Sequence, residues 1–248
     1  MEIELDTVLI ITVAMAIGSF VKGATGQGLP QIAIPVMATF LGVEAAVVIM
    51  AIPGVVSNTW LLWNYRRYYE RTRDLPAILI AGTAGAVAGT VLLDNLDADV
   101  LSLSLAGMIV LYVVVFFSHP ELQLTPTLTR FASPPLGLAA GVLQGATGVS
   151  GPLLATYLHG YRMEKEVYVL SISTIFQVYA VVQVATLSGL GLFTRDRFVL
   201  SVLSLLPIMV LLRVGARFTE RLSRRRFDLV VLTVLLASAV KLVYDGLT

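Results

Sequence analysis

Apolar residues fill most of the chain in runs long enough to form membrane helices. Several of these runs exceed the roughly 20 residues that a helix needs to cross a bilayer. Only 13% of the residues are charged, against about 25% in a soluble domain, so a soluble helical protein with a large core does not fit. The pattern predicts an all-α polytopic membrane protein. The apolar runs are residues 8–21, 32–63, 75–93, 100–117, 134–158, 167–193, 198–212 and 227–247.

Two of the apolar segments contain the same interruption. Residues 23–26 and 145–148 both have the sequence Gly-Ala-Thr-Gly, 122 positions apart, and each copy precedes a proline, Pro30 or Pro152. Each glycine costs about 1 kcal/mol relative to alanine inside a helix. We therefore expect a helix to break at both places. In transporters, paired interruptions of this kind indicate the substrate site.

Other matches occur at the same spacing and indicate an internal duplication. Glu44 meets Glu166 when the second half is shifted by 122 positions, and a Thr-Arg-Asp tripeptide also recurs at that offset. Because matches so far apart share one offset, they are not expected by chance. We predict two repeats, residues 1–122 and 123–248, within one integral membrane domain.

The basic residues predict how the two repeats are oriented. Arginines cluster at 66–73 and at 217–226, and the positive-inside rule places both clusters in the cytoplasm. The helix at 44–64 then ends inside, whereas its counterpart at 166–192 ends outside. The repeats are therefore predicted to have inverted topology, with both termini outside. A basic cluster can also bind nucleic acid, but its position between apolar spans indicates topology, so we expect no nucleic-acid partner.

Inverted repeats require an odd number of crossings in each half. Three helices per half are clear from the apolar runs, so the Gly-Ala-Thr-Gly segment must supply an even number. Residues 134–160 are too few for two full spans and a turn. We expect a broken or re-entrant helix pair in each repeat, formed by two short half-helices that meet near the midplane or by two short tilted spans.

The breaks offer groups that bind anions. Pro30 and Pro152 suit the first turn of a restarted helix, and Thr25 or Gln27 and Thr147 or Ser150 are expected to cap the two helices. Free N–H groups and the partial positive charge at a helix N-terminus attract anions. The residues expected to bind substrate are Lys22, Gly23, Thr25, Gly26, Gln27, Gly28, Gln31, Gln144, Gly145, Thr147, Gly148, Ser150 and Gly151.

Lys22 is the one lysine deep in a predicted span. A cation in the bilayer costs at least about 2.5 kcal/mol on insertion scales, which favours a functional role. The alternatives are that Lys22 reaches an interface or pairs with a carboxylate such as Glu44. The amides Asn58, Asn64, Gln177 and Gln183 are interpreted as forming hydrogen bonds between packed helices.

The lack of catalytic and cofactor-binding motifs argues against an enzyme. The chain has no cysteine, and its two histidines are far apart in the sequence, so we expect no metal site and no other cofactor. Residues 148–151 do not form a nucleophile elbow, and no phosphate-binding loop is present.

The small residues Gly82, Gly85 and Gly89 predict close helix packing.

The two motifs, GATGQGLP at 23–30 and GATGVSGP at 145–152, resemble those of the TauE/SafE sulfite exporter family of bacterial membrane permeases. The resemblance covers nearly the whole chain. It implies a secondary transporter of the bacterial inner membrane that exports sulfite or an organosulfonate such as sulfoacetate without ATP. Val149 replaces the Gln27 of the first copy, so the two half-sites are expected to differ chemically.

Several alternatives stay open on the sequence. The substrate can be another small anion such as a carboxylate, or the protein can be an anion channel. Coupling to H⁺ or Na⁺, the direction of transport and the oligomeric state are not specified by these residues.

Overall fold

The computed structural model describes residues 5–71, 75–118, 126–161, 163–218, 236–244 and 246–247. Within these ranges the regular structure is helical, with no strand. A 3₁₀ turn, Arg66–Arg71, follows α3, and residues 236–244 are also helical. The helices are α1 Leu5–Thr25, α2 Leu29–Leu41, α3 Val43–Tyr65, α4 Leu75–Asn95, α5 Ala98–Ser118, α6 Pro126–Thr147, α7 Gly151–His159, α8 Lys165–Gly189, α9 Arg195–Leu203 and α10 Leu205–Phe218.

Among the described residues, five helical stretches are long and apolar enough to cross a membrane, which confirms the predicted all-α polytopic membrane fold. The last stretch joins α9 and α10, and the shorter α2 is also apolar. The spans are Leu5–Thr25, Val43–Tyr69, Leu75–Asn95, Lys165–Gly189 and Arg195–Arg217. The first four residues, the predicted repeat boundary at 122–123 and the arginines at 221–226 lie outside the described residues.

Each predicted break consists of one long helix followed by a short one. The helix α1 has 21 residues and α2 has 13, while α6 has 22 and α7 has 9. A Cβ built on Gly18 would lie 2.8 Å from the Leu29 carbonyl oxygen, so α2 folds back against α1. The first helix of each pair is thus much longer than a half-helix, since it continues through the first glycine of the motif.

Backbone packing explains why the glycines at 23 and 145 stay helical. A Cβ on Gly23 would clash with the Leu212 carbonyl of α10, and one on Gly145 would clash with the Ala86 carbonyl of α4. Only glycine permits this approach between helix backbones. The packing offsets the helix-propensity cost of about 1 kcal/mol per glycine. It also pairs α1 with α10 and α6 with α4.

The predicted glycine ladder lies in the α4–α6 pair. A Cβ on Gly85 or Gly89 would clash with carbonyl oxygens of α6, while Gly82 lies against the Tyr179 ring of α8. The prediction of close packing at these glycines is confirmed. Gly215 of α10 packs in the same way against the Phe20 carbonyl of α1.

At the centre of the fold, α3 and α8 cross in opposite directions. A Cβ on Gly54 would lie 3.8 Å from the Cβ of Ala180, and the Gln177 amide donates to the Thr59 hydroxyl at 3.1 Å. Residue numbers rise along α3 as they fall along α8, so the helices are antiparallel. These two helices are counterparts at the offset of 122.

Candidate functional site

The two breaks have the same backbone conformation. Gly26 and Gly148, which are counterparts, have φ angles of 83° and 70°. Their N–H groups donate to the Lys22 and Gln144 carbonyls at 2.8 Å and 2.9 Å. This left-handed residue at a helix C-terminus is the position at which glycine is favoured. The local sequence therefore ends α1 and α6 by the same turn.

The two threonines hold these turns closed. The Thr25 hydroxyl accepts from the Gln27 N–H at 3.3 Å, and the Thr147 hydroxyl accepts from the Val149 N–H at 3.3 Å. Each hydroxyl also donates to a carbonyl one turn earlier in its own helix. Because each hydroxyl is already engaged in the turn, neither threonine caps the next helix as expected.

The restarted helices begin without a side-chain cap. The N-cap of α2 is Gly28, with a φ of 109°, and that of α7 is Ser150, whose side chain does not bond to the first turn. Expected caps at Gln27 and Ser150 are thus not formed. Pro30 and Pro152 lie in the first turns, as predicted. Both helices keep first-turn N–H groups that no side chain caps.

A small cavity lies between the two breaks and the central helices. The space that the centre of a water molecule can occupy there is ≈ 20 Å³, which is enough for about one water. Four polar side chains, from α1, α3, α6 and α8, reach its wall. The lining residues are Lys22, Asn58, Gln144, Gln183, Pro30, Ile34, Val47, Met50, Ala51, Gly54, Gly148, Phe176 and Ala180.

Lys22 brings a positive charge to this cavity. The residue is 1% exposed, and its ammonium donates to the Asn58 Oδ1 atom. The expected alternative partner, Glu44, instead forms an ion pair with Arg197 at 2.6 Å. Within the part of the chain that the structure describes, the Lys22 ammonium has no carboxylate partner. Burial also argues against snorkelling to an interface.

Amide groups form the corresponding part of the second break. The Gln144 Nε2 group donates to Gln183 Oε1 at 3.2 Å, and Ser150 donates to Gln144 Oε1 at 2.8 Å. Gln183 in turn donates to the backbone carbonyls of Gln144 and Gly145 at 2.8 Å and 3.2 Å. The Gln144 carbonyl thus accepts from Gln183 as well as from the Gly148 N–H, and Gln183 also supplies a donor to the Gly145 carbonyl near the end of α6. The second break is therefore polar but uncharged.

The family of the chain follows from its sequence as a whole. The model of the family "Sulfite exporter TauE/SafE" matches residues 10–242. The chain belongs to this family. Comparisons with curated proteins and with solved structures gave no match. The family is one of sulfite and anion exporter-type transporters, so this TauE/SafE protein is an integral membrane transporter for a small anion.

The cavity of the TauE/SafE protein includes only part of the set expected to bind substrate. Lys22, Gln144 and Gly148 line it directly. Ser150 lies behind Gln144, to which it donates. The threonines Thr25 and Thr147 face their own turns.

The other expected residues shape the breaks or lie beside the cavity. Gly23 and Gly145 pack against neighbouring helices. Gly26 and Gly28 have positive φ angles at the first break, between α1 and α2. The Gln31 side chain lies against Gly151 at the start of α7. The Oε1 atoms of Gln27 and Gln31 are buried and make no hydrogen bond to the described residues.

For two cavity residues of the TauE/SafE protein, the structure differs from the interpretation based on the sequence. Asn58 and Gln183 were read as helix-packing amides, yet both line the cavity and bond to Lys22 and Gln144. Each lies on the third helix of its half. Within its own half, each amide bonds to the residue that precedes the motif glycine, Lys22 or Gln144, and no feature of the sequence marks that contact.

Proposed function

We propose that this transporter moves a small sulfur oxyanion or sulfonate, such as sulfite or an alkyl sulfonate, across the bacterial inner membrane. We further propose that the anion binds in the central cavity beside Lys22. The observation that carries this proposal is the buried ammonium, which has an amide partner but no carboxylate partner. An unpaired buried charge is costly, and an anion would neutralise it.

The donors around the cavity suit an oxyanion. An ammonium has three N–H donors, of which one reaches Asn58 Oδ1. Because that oxygen is used, the Nδ2 group of Asn58 is the part of the amide that can donate to a ligand. Asn58 Nδ2 makes no hydrogen bond to the residues described. A sulfonate or sulfite oxygen between these groups would accept charge-assisted hydrogen bonds, which are stronger than neutral ones.

The break residues support the site from behind. Gly26, Gly148, Thr25 and Thr147 fix the turns that bring the ends of α1 and α6 to the cavity. The uncapped first turns of α2 and α7 add N–H groups that can act as local hydrogen-bond donors to an anion nearby. We propose that the other residues expected to bind substrate act indirectly, by shaping the backbone at the two breaks.

Transport by alternating access is supported by the size and setting of the cavity. A volume suited to about one water is too small for a sulfonate, so helices must separate for substrate to enter. The antiparallel crossing of α3 and α8 and the exchanged pairs α1–α10 and α6–α4 are what inverted repeats would produce. We propose that both termini lie outside, that export is the usual direction, and that a substrate, H⁺ or Na⁺ gradient supplies the energy.

The test is anion binding and flux with the charge of Lys22 removed. Lys22→Met keeps a long apolar side chain, and Lys165→Met is the matched control because Lys165 is exposed at the start of α8. Loss of a charged hydrogen bond of about 1.5–3 kcal/mol should weaken sulfite binding by about tenfold to a hundredfold. Calorimetry on purified protein and sulfite efflux from proteoliposomes measure the two properties.

The same experiment separates the alternatives. Lys165→Met should bind sulfite as the unmodified protein does. Normal sulfite binding by a well-folded Lys22→Met protein would contradict the proposed site. Acetate that binds more tightly than sulfite would identify a carboxylate transporter, and flux that does not saturate but produces steady conductance would identify a channel.

A further inference from the structure

The central cavity has one formal charge. Lys22 of α1 supplies it, while the groups that face Lys22 from α3, α6 and α8 are the neutral amides Asn58, Gln144 and Gln183. The α2 residues in the wall, Pro30 and Ile34, are apolar. Within the described residues that line the cavity, no carboxylate, histidine or second cation balances or doubles the charge of Lys22.

Helix dipoles do not change this balance. At the first break the C-terminal end of α1 meets the N-terminal end of α2, and at the second break the end of α6 meets the start of α7. The partial charges at these ends have opposite signs and similar size. Each break therefore contributes little net charge, and the ammonium dominates the potential in the cavity.

Gln144 determines what the second half contributes. It is the counterpart of Lys22 at the offset of 122, but its amide is held by Ser150 and Gln183. An amide can orient an anion through a dipole but cannot neutralise a charge. The two half-sites together therefore provide one positive charge where a symmetric site would provide two.

We propose that the cavity selects monovalent oxyanions, such as hydrogen sulfite and alkyl sulfonates, over divalent ones such as sulfate. This inference rests on the proposed function, because it assigns a charge class to ligands of the same site. A monovalent anion next to Lys22 forms a neutral pair. A divalent anion leaves one uncompensated negative charge in a buried, weakly polarisable environment, which is strongly unfavourable.

Methanesulfonate and sulfate are the probes for this experiment. Both are tetrahedral at sulfur and have the same number of heavy atoms, but they differ by one unit of charge. Binding is measured by calorimetry on the purified full chain at one pH. We expect methanesulfonate to bind at least tenfold more tightly than sulfate. Equal binding, or tighter binding of sulfate, would overturn the proposed selectivity while leaving an anion site in place.

Variants of the two counterpart positions sharpen the test. Gln144→Lys should add a second ammonium and shift the ratio of affinities toward sulfate by at least tenfold. The double variant Lys22→Gln with Gln144→Lys moves the charge to the other half and should restore the preference for methanesulfonate. A folded Gln144→Lys protein with an unchanged ratio would contradict the role of charge matching.

The ratio of methanesulfonate affinity to sulfate affinity in the wild-type protein tests the charge selectivity even where a variant does not fold. Sulfite measured across neutral pH gives an independent reading, since its second ionisation lies in that range. Relative to methanesulfonate, which is monovalent throughout and reports changes in the protein itself, sulfite affinity should fall as the pH rises. A rise instead would refute monovalent selection. Absence of binding by sulfite and by both probes would refute the proposed function itself.

Discussion

The first break and the second break have nearly the same backbone but different chemistry. Both end a long helix with a left-handed glycine and hold the turn with a threonine hydroxyl. The residue four positions before that glycine differs: it is Lys22 in one copy and Gln144 in the other. The shared residues determine the turn, and the residues that differ determine charge. A duplicated backbone motif thus provides an asymmetric site.

The surroundings of the two breaks reinforce this difference. Lys22 has a single amide partner, Asn58, whereas Gln144 belongs to a network with Gln183 and Ser150. Charge in the first half therefore remains available to a ligand. In the second half, the amide groups are largely used within the protein, which favours a fixed wall over a binding group.

The largest expected difference between the two halves is their orientation in the membrane, for which labelling gives an all-or-none result. Tyr68 and Leu190 are counterparts at the offset of 122, and the inverted-repeat prediction places them on opposite sides of the membrane. Since the chain has no cysteine, Tyr68→Cys and Leu190→Cys each introduce a unique thiol. We expect an impermeant maleimide to label Tyr68→Cys from the cytoplasm and Leu190→Cys from outside.

Labelling of both thiols from the same side would show that the halves are not inverted. Each variant serves as the control for the other, because both replace an uncharged residue near the end of a central helix. Permeabilised cells, in which both thiols should react, establish that each site is accessible.

A smaller effect is expected from the left-handed glycines. A Cβ on Gly26 would lie 2.8 Å from Val169 Cγ2, and one on Gly148 would displace the Ile34 side chain. Both alanine variants should lose about 1–2 kcal/mol of stability, the cost of a left-handed non-glycine residue. Gly148 and Ile34 line the cavity, whereas Gly26 and Val169 do not, so Gly148→Ala should also weaken sulfite binding by about tenfold.

Chemical denaturation in detergent and calorimetry measure these two losses separately. If Gly26→Ala weakened binding as much as Gly148→Ala, the two breaks would contribute equally to the site. The asymmetry between them would then be confined to the side chains of Lys22 and Gln144.

The threonines test the same comparison through stability alone. Thr147 is 1% exposed, so Thr147→Val leaves the buried Val149 N–H without its acceptor, at a cost of about 1–3 kcal/mol. Thr25 is exposed, and water can replace its hydroxyl in Thr25→Val, which should cost about 0.5 kcal/mol or less. Serine variants, which keep the hydroxyl, should restore most of the stability. Equal losses in the valine pair would indicate similar environments.

Local sequence signals predicted the fold better than the site. Hydropathy and glycine spacing predicted the helices, the breaks at Gly26 and Gly148, and the packing of Gly85 and Gly89, because each of these features has a signal in consecutive or regularly spaced residues. The length of α1 was not predicted, because backbone packing against α10 offsets the cost of Gly23. Such compensation depends on a partner nearly 200 positions away.

Recognition of the site was limited in the same way. The chemistry of Lys22 was apparent from one apolar segment, since a lysine in a span requires an explanation. Asn58 and Gln183 were not identified as cavity residues, because a buried amide has the same sequence signal whether it packs helices or faces a cavity. Only the crossing of α3 and α8 brings them beside Lys22 and Gln144.

The backbone contacts of Gly23 and Gly145 determine which parts of the molecule can move during a transport cycle. A helix whose backbone touches its neighbour's carbonyl groups cannot slide along it without a steric clash. We therefore propose that the pair α1–α10 and the pair α6–α4 each move as one rigid arm. Relative motion is left to the α3–α8 crossing, where Gly54 faces Ala180 at an ordinary 3.8 Å. We propose that this crossing is the hinge between the two arms.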